Sequence, residues 1–473
     1  MHTTWRPEHG FSLRPLLHKN MYIQPNNSII SRNKSLLINA FAIGIYGVTI
    51  AFLCLTGSIE ALGANIPQPD LLSDYTIGVI WSLMLGLSIS FWPVRSRDKV
   101  AFLTIWIVKS FITLGIMLFY EANYSFLDAY SYFNVPMQYD FEWAGLNIGQ
   151  GTENIYSIVW LYYKIMPASY HALKVSFALV GLIAIYLIYR ATVLFLQKED
   201  IRILYVLALF PSILFWSSII GKDPFTLLGI ALYVYGVIGW YRFRKLRFIW
   251  MLALGVVITI FIRVWLGPIL IAPIMIIPLF SVRGILPKLM MITLTTGTLV
   301  FMSAQLLNHF NVEAAQDVLT ILDTVSRSWS EDGGSGQTIQ ADFTQIHQAL
   351  AFIPLGMFTA LFRPLPGEVL NPFGLLAGLE NLILLLLLLR AAIRTKLHDL
   401  KNPVVMWASL FVLTWAIVYG FISYQNLGTA VRFRLQILPV LLCLLLYLGR
   451  QRKFAKKLLY YRVVNEYGIS SPR

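Results

Sequence analysis

Apolar residues run along this chain in long unbroken blocks, without the every-second-residue alternation of a half-buried strand. Blocks of roughly 20 residues are what a helix needs to cross a hydrocarbon core. They are predicted at 36–58, 76–94, 100–120, 172–195, 203–220, 225–241, 248–262, 267–281, 287–307, 371–390, 403–421 and 433–449. The expected fold is therefore an all-α polytopic transmembrane helical bundle of about twelve spans. Residues 1–35 form an N-terminal segment, 36–449 the transmembrane domain and 450–473 a basic tail. The pair 248–262 and 267–281 is short, and Gly267-Pro268 divides it.

The polar stretches between the runs set the orientation. Cytoplasmic loops are enriched in Lys and Arg. Arg95, Arg97 and Lys99, then Arg242, Arg244, Lys245 and Arg247, then Arg394, Lys396 and Lys401 all fall on the side of the N-terminus. The tail adds Arg450, Arg452, Lys453, Lys456 and Lys457. Glu60, Asp70, Asp74, Glu121, Asp128, Asp140, Glu142 and Glu153 dominate the early loops of the opposite side. Both termini are thus expected in the cytoplasm. The net charge of +14 then reflects loop orientation, and nucleic acid is not an expected partner.

Two long external segments follow, 121–171 and 308–370. "IYSIVWLYYKIMP" (155–167) and "LAFIPLGMFTALF" (350–362) are too short to span and read as interfacial helices. "SRSWSEDGGSGQ" (326–337) reads as a mobile loop that closes over a substrate. About 35 mostly polar residues precede the first run, unlike a signal peptide. With 57% hydrophobic and 13% charged residues, the chain has about half the charge usual in a soluble protein. Cys54 and Cys443 lie in apolar runs and make no metal pattern.

The unusual charges gather on the external side. Asp128 lies in "YSFLDAYSYFN", and Lys222 and Asp223 lie in "FPSILFWSSIIGKDPFTLLGIALYVYG". Arg263 interrupts "ITIFIRVWLGP", Arg363 stands in "LFRPLPGEVLNP", and Arg432 and Arg434 in "NLGTAVRFRLQILP". Carboxylates and cations converging at one interface suit an anionic substrate with a lipid-like remainder, because guanidinium donates two parallel bonds to phosphate. Each residue also has a plainer role. Asp128 is equally a simple loop acid. Asp223 before Pro224 is expected to cap the following helix, with proline at the first helical position. Arg432 and Arg434 suit snorkelling to headgroups. Glu380, inside a span, is a functional candidate or a hydrogen-bonded helix contact, and Lys109 is likewise intramembrane. No P-loop, nucleophile elbow or dinucleotide fingerprint is present.

The order of external acidic loop, interfacial helix, "ALKVSFALVGLIAIYLIYRATVLF" (172–195) and the GKDP stretch resembles the C-type (GT-C fold) glycosyltransferase superfamily. These are polytopic enzymes taking sugar from polyprenyl-phosphate donors. The resemblance covers roughly 100–245, with "VRFRLQILP" resembling the basic turn of several members. It implies Asp128 as the loop acid and Asp223 as the acid of the later turn. Asp128 follows the third run here, whereas the family acid follows the first. It also lacks a neighbouring second acid. A divalent cation would draw on Asp140 and Glu142 if the loop folds back.

The expected reaction is transfer on the non-cytoplasmic face of a bacterial plasma (inner) membrane. Asp128 accepts a proton from a glycan, lipid or protein acceptor. Lys222, Arg263, Arg363, Arg432 and Arg434 hold the donor phosphate, and Asp223 orients Lys222 or the donor sugar. Two other readings remain: a polysaccharide polymerase or ligase acting on undecaprenyl-linked glycans, and a flippase or transporter. The latter predicts broken or charged helices at mid-membrane.

Overall fold

The computed structural model describes residues 58–138, 146–281, 284–309 and 345–451, with a few isolated positions besides. The run at 36–58, the termini 1–35 and 452–473, the acids Asp140 and Glu142, and the 326–337 loop lie essentially outside the described residues.

The described chain is helical. A short turn, α1 (Ile59–Leu62), leads to α2 (Leu71–Ile89) and the long α3 (Ser96–Asn123), which carries one widened turn at Ile112–Ile116. Two helices follow outside the bundle, α4 (Asp128–Gln138) and α5 (Gly151–Tyr163). Then come α6 (Tyr170–Leu196), α7 (Ile201–Leu209), α8 (Pro211–Trp216) and α9 (Lys222–Phe243). Next are α10 (Leu246–Ile262), α11 (Leu266–Ile274), α12 (Ile276–Ser281) and α13 (Ile285–His309). The last group is α14 (Ile346–Phe362), α15 (Pro372–Arg394), α16 (Leu397–Leu400), α17 (Pro403–Ser423), α18 (Leu427–Arg434) and α19 (Leu438–Leu448).

Seven of these helices are long and apolar enough to cross a membrane, or eight if the bent pair α18–α19 counts as one span. Their outward faces are apolar, as on α13, where Leu294, Val300 and Phe301 are largely exposed. In a bilayer such a surface meets lipid.

Several expected spans are interrupted. The run 203–220 is not one helix. Pro211 has no N–H and forces Phe210 into an extended conformation, so α7 ends at Leu209 and α8 starts afresh. The run 267–281 divides between α11 and α12 after Pro273. The run 433–449 contains a 72° bend between α18 and α19. Of the short segments, 155–163 lies in α5, with 164–167 in the turn after it, and 350–362 falls within α14.

Small residues set the closest approach. A side chain at Gly229 would collide with the Thr259 hydroxyl, and one at Gly255 with the Tyr233 backbone. Helices α9 and α10 therefore touch backbone to backbone, which favours dispersion contacts where no hydrophobic effect operates between helices in lipid. This pairing brings the start of α9 beside the end of α10, and so Asp223 beside Arg263.

Candidate functional site

The GKDP turn is built around Gly221. It sits at φ 155°, ψ −163°, a region open essentially to glycine alone, and it is the residue before the first turn of α9. A Cβ there would only touch the Tyr132 ring at 3.4 Å, so it is the backbone conformation that calls for glycine. Lys222, Asp223 and Pro224 are the first three helical residues. Asp223 therefore does not cap α9, and its carboxylate makes no capping bond. It is turned sideways into the bundle, where both oxygens are taken by arginines.

Arg263, at the end of α10, donates Nη2–H to Asp223 Oδ1 at 3.1 Å. Arg432, on α18, donates Nε–H to Asp223 Oδ2 at 2.7 Å. The same guanidinium donates from Nη1 to Asp128 Oδ2 at 3.1 Å. One arginine thus joins two aspartates that lie 95 positions apart in sequence. The two acids stand in opposite settings: the Asp223 side chain is 1% exposed and that of Asp128 62%. A buried carboxylate is tolerated only when paired and hydrogen-bonded, and Asp223 is both. Asp128 keeps most of its lone pairs toward solvent.

Neighbouring rings shape the cluster. Trp216, ending α8, faces the Arg432 guanidinium at 5.8 Å, and Phe433 faces Arg263 at 4.5 Å. Burial pushes the Tyr132 phenol well above its ordinary range, Asp128 adds to this and Arg432 opposes it, so the hydroxyl stays neutral. Lys222 is half-buried, and its ammonium has no hydrogen bond or ion pair among the described residues. It lines an open cleft with Gln150, Thr152, Glu153 and Trp265. Asp223 does not orient it.

A cavity of about 220 Å³ lies against Arg432, walled by Tyr120, Tyr124, Trp216, Phe373 and the start of α18. A smaller one touches both Arg432 and Asp128. Its other wall carries an ion pair that the sequence analysis missed. Lys174 donates to both Glu121 oxygens at 2.8 and 2.9 Å, and the Tyr170 hydroxyl donates to Glu121 at 2.8 Å. The available signal was a lone charge near the end of each of two apolar runs. Asp74 accepts from the Tyr170 and His171 amides and pairs with His171 Nδ1 at 2.5 Å, holding the start of α6.

Two predicted phosphate ligands point elsewhere. Arg434 is fully buried; it donates to the carbonyls of Ala360 and Arg363 and to the Asn381 amide oxygen. Arg363 pairs with Glu368, Nε to Oε1 at 2.9 Å and Nη2 to Oε1 at 2.8 Å. Burial raises the Glu368 carboxyl pKa, but its bonds from Arg363 and the Leu365 amide outweigh this and hold it below its ordinary value.

The two intramembrane charges both serve the short helix α8. Glu380 Oε2 accepts the Ser212 amide at 2.7 Å at its start. Lys109 donates to the Ser217 and Ser218 hydroxyls at 2.6 and 2.7 Å at its end. The carboxyl thus takes an otherwise unpaired first-turn amide, and the amine ties the two hydroxyls that follow the last turn. This clamp fixes Trp216 and the approach to Gly221. Among the described residues no three His, Cys, Asp or Glu side chains gather as metal ligands.

No known family model matches the chain, and neither a curated protein nor a solved structure matches it.

Proposed function

We propose that this protein is a membrane glycosyltransferase of the C type, moving a sugar from a polyprenyl-phosphate donor to an acceptor hydroxyl on the non-cytoplasmic face. The observation that carries this reading is Arg432. Its guanidinium binds both aspartates, Asp223 from Nε and Asp128 from Nη1, and it borders an aromatic-walled cavity at the end of the bundle. The reading takes the interrupted pairs α7–α8 and α11–α12 and the helix α10 as further crossings beside the seven or eight helices long enough by themselves.

In this mechanism the donor lies against Tyr120, Tyr124 and Trp216, with its phosphate on Arg432. The acceptor enters from the Lys222 cleft. Asp128 takes the hydroxyl proton as the oxygen bonds to the anomeric carbon. The bond from that carbon to the phosphate oxygen breaks, and its electron pair leaves with the phosphate. Arg432 and Lys222 stabilise the released charge. Asp223 holds Arg432 and Arg263 in place.

The test is Asp128→Asn, expressed at normal level in membranes and assayed for transfer from a lipid-linked radiolabelled sugar. Removing a general base should slow transfer by about 10²–10⁴-fold. Undiminished transfer would remove Asp128 as the base. A second reading, translocation of a lipid-linked sugar, is favoured by the helix interruptions at Arg263 and Leu435 beside the cluster. Movement of labelled lipid across vesicles without any sugar transfer would select it.

A further inference from the structure

A second cavity lies at the far end of the bundle and has no part in the chemistry above. Its volume is about 260 Å³. Its walls come from α6 (Ile188, Thr192), α9 (Val234, Ile238) and α17 (Val405, Ala408), closed by the apolar face of α19. Val234 lies 11 residues beyond Asp223 on the same helix, about 17 Å along its axis, so the cavity belongs to the opposite half of the membrane. Protein interiors rarely hold voids larger than a water molecule, and an apolar cavity does not retain water. Leu446 and Leu196, on its rim, are partly exposed where the outer surface meets lipid. Hydrocarbon is the occupant that fits.

The mouth is cationic. Arg450 lines it, stacked 3.6 Å over the Tyr447 ring and donating to Asp399 at 3.0 Å. Beside it two arginines of α15 converge on one backbone group. Arg390 Nε and Arg394 Nη1 donate to the Gly449 carbonyl at 2.9 and 3.3 Å. Both side chains are exposed, and among the described residues neither forms an ion pair and each has guanidinium hydrogens left over. Asp399 is committed to Arg450 and to the Lys396 amide. An apolar cavity with Arg450 on its rim, and with Arg390 and Arg394 on the adjoining Gly449 carbonyl, matches a lipid with a phosphate headgroup.

We infer that this cavity is a binding site for an anionic glycerophospholipid of the surrounding bilayer, one acyl chain in the cavity and the phosphate on Arg390 and Arg394. The site is independent of the transfer reaction. Basic pockets between transmembrane helices recognise anionic headgroups through each arginine's attraction to the phosphate.

The test uses the purified full-length protein in detergent, titrated with phosphatidylglycerol or phosphatidylcholine and read by native mass spectrometry. Phosphatidylglycerol should bind in preference to phosphatidylcholine. Arg390→Gln and Arg394→Gln, both at exposed positions, should each weaken it about fivefold. Ala408→Trp fills the cavity and should abolish retention; Val405→Phe serves the same purpose if that variant does not fold. Equal binding of the two lipids would overturn headgroup recognition. Retention by a folded, cavity-filled variant would overturn the tail site. Preferential displacement by a polyprenyl phosphate would overturn the assignment to a bilayer phospholipid.

Discussion

Arg432 and Arg434 stand two residues apart on α18, which places them about 200° apart around the helix axis. On one side Arg432 pairs with Asp223 and with the solvent-exposed Asp128, and part of its guanidinium borders a cavity. On the other, Arg434 is fully buried and tied to Ala360, Arg363 and Asn381. Identical side chains thus end beside an exposed acid and in a structural clamp. What separates them is the partner. Two backbone carbonyls and the Asn381 amide oxygen hold one guanidinium and tie the end of α14 to the middle of α15. The exposed Asp128 carboxylate leaves the other able to exchange one anion for another.

The sharpest way to break this comparison is to remove each arginine in turn. Arg432→Ala should lower sugar transfer per folded molecule by about 10²–10³-fold, the scale of losing one preorganised donor to a developing anion. Its thermal melt should change much less than that of Arg434→Leu, because Asp223 keeps its bond from Arg263. If both variants melt alike, the two sides of α18 are not distinct. Arg434→Leu strands three acceptors in the interior, at about 1–3 kcal/mol for each one left unpaired. It should destabilise the fold while leaving transfer by the surviving folded fraction unchanged. Normal stability in detergent would refute the clamp.

A smaller effect is expected at the turn that presents Asp223. Gly221→Ala forces a side chain into a backbone region that costs about 1–3 kcal/mol. Its melt and its transfer rate should fall together, because the turn aims the Asp223–Arg432 pair. A lower melt with full transfer would mean that the turn does not aim the pair.

The smallest effect concerns the Arg363–Glu368 pair, which borders the clamp. The Glu368 carboxyl titrates below its unfolded value. Its contribution is therefore complete above the ordinary carboxylate pKa and is lost as pH falls through the lower folded value. Arg363→Gln should lower the melt slightly at neutral pH and flatten the acid limb, so that variant and parent converge at low pH. An unchanged acid limb would show that the pair contributes nothing.

Much of this was legible in the residues. Continuous apolar runs dictate helices, and the alternation of basic and acidic loops orders their ends, so Asp128, Asp223, Arg263 and Arg432 were candidates for one face. Composition also warned that Lys109 and Glu380 needed partners. Which partners was not legible, because Ser212, Ser217 and Ser218 are ordinary residues until Pro211 breaks the run and exposes the two ends of α8. The Asp-Pro dipeptide pointed to a cap that does not form, since Gly221 takes that position and the arginines take the carboxylate.

The sequence by itself determined the solvent of this protein and the face where its charges collect. Both follow from transfer free energies summed over many residues, which no single contact can reverse. Only the tertiary structure decided which arginine meets an aspartate and which meets a carbonyl. That choice depends on helix rotation, on glycine contacts between α9 and α10, and on where proline breaks a span, and these are settled by packing between segments hundreds of residues apart.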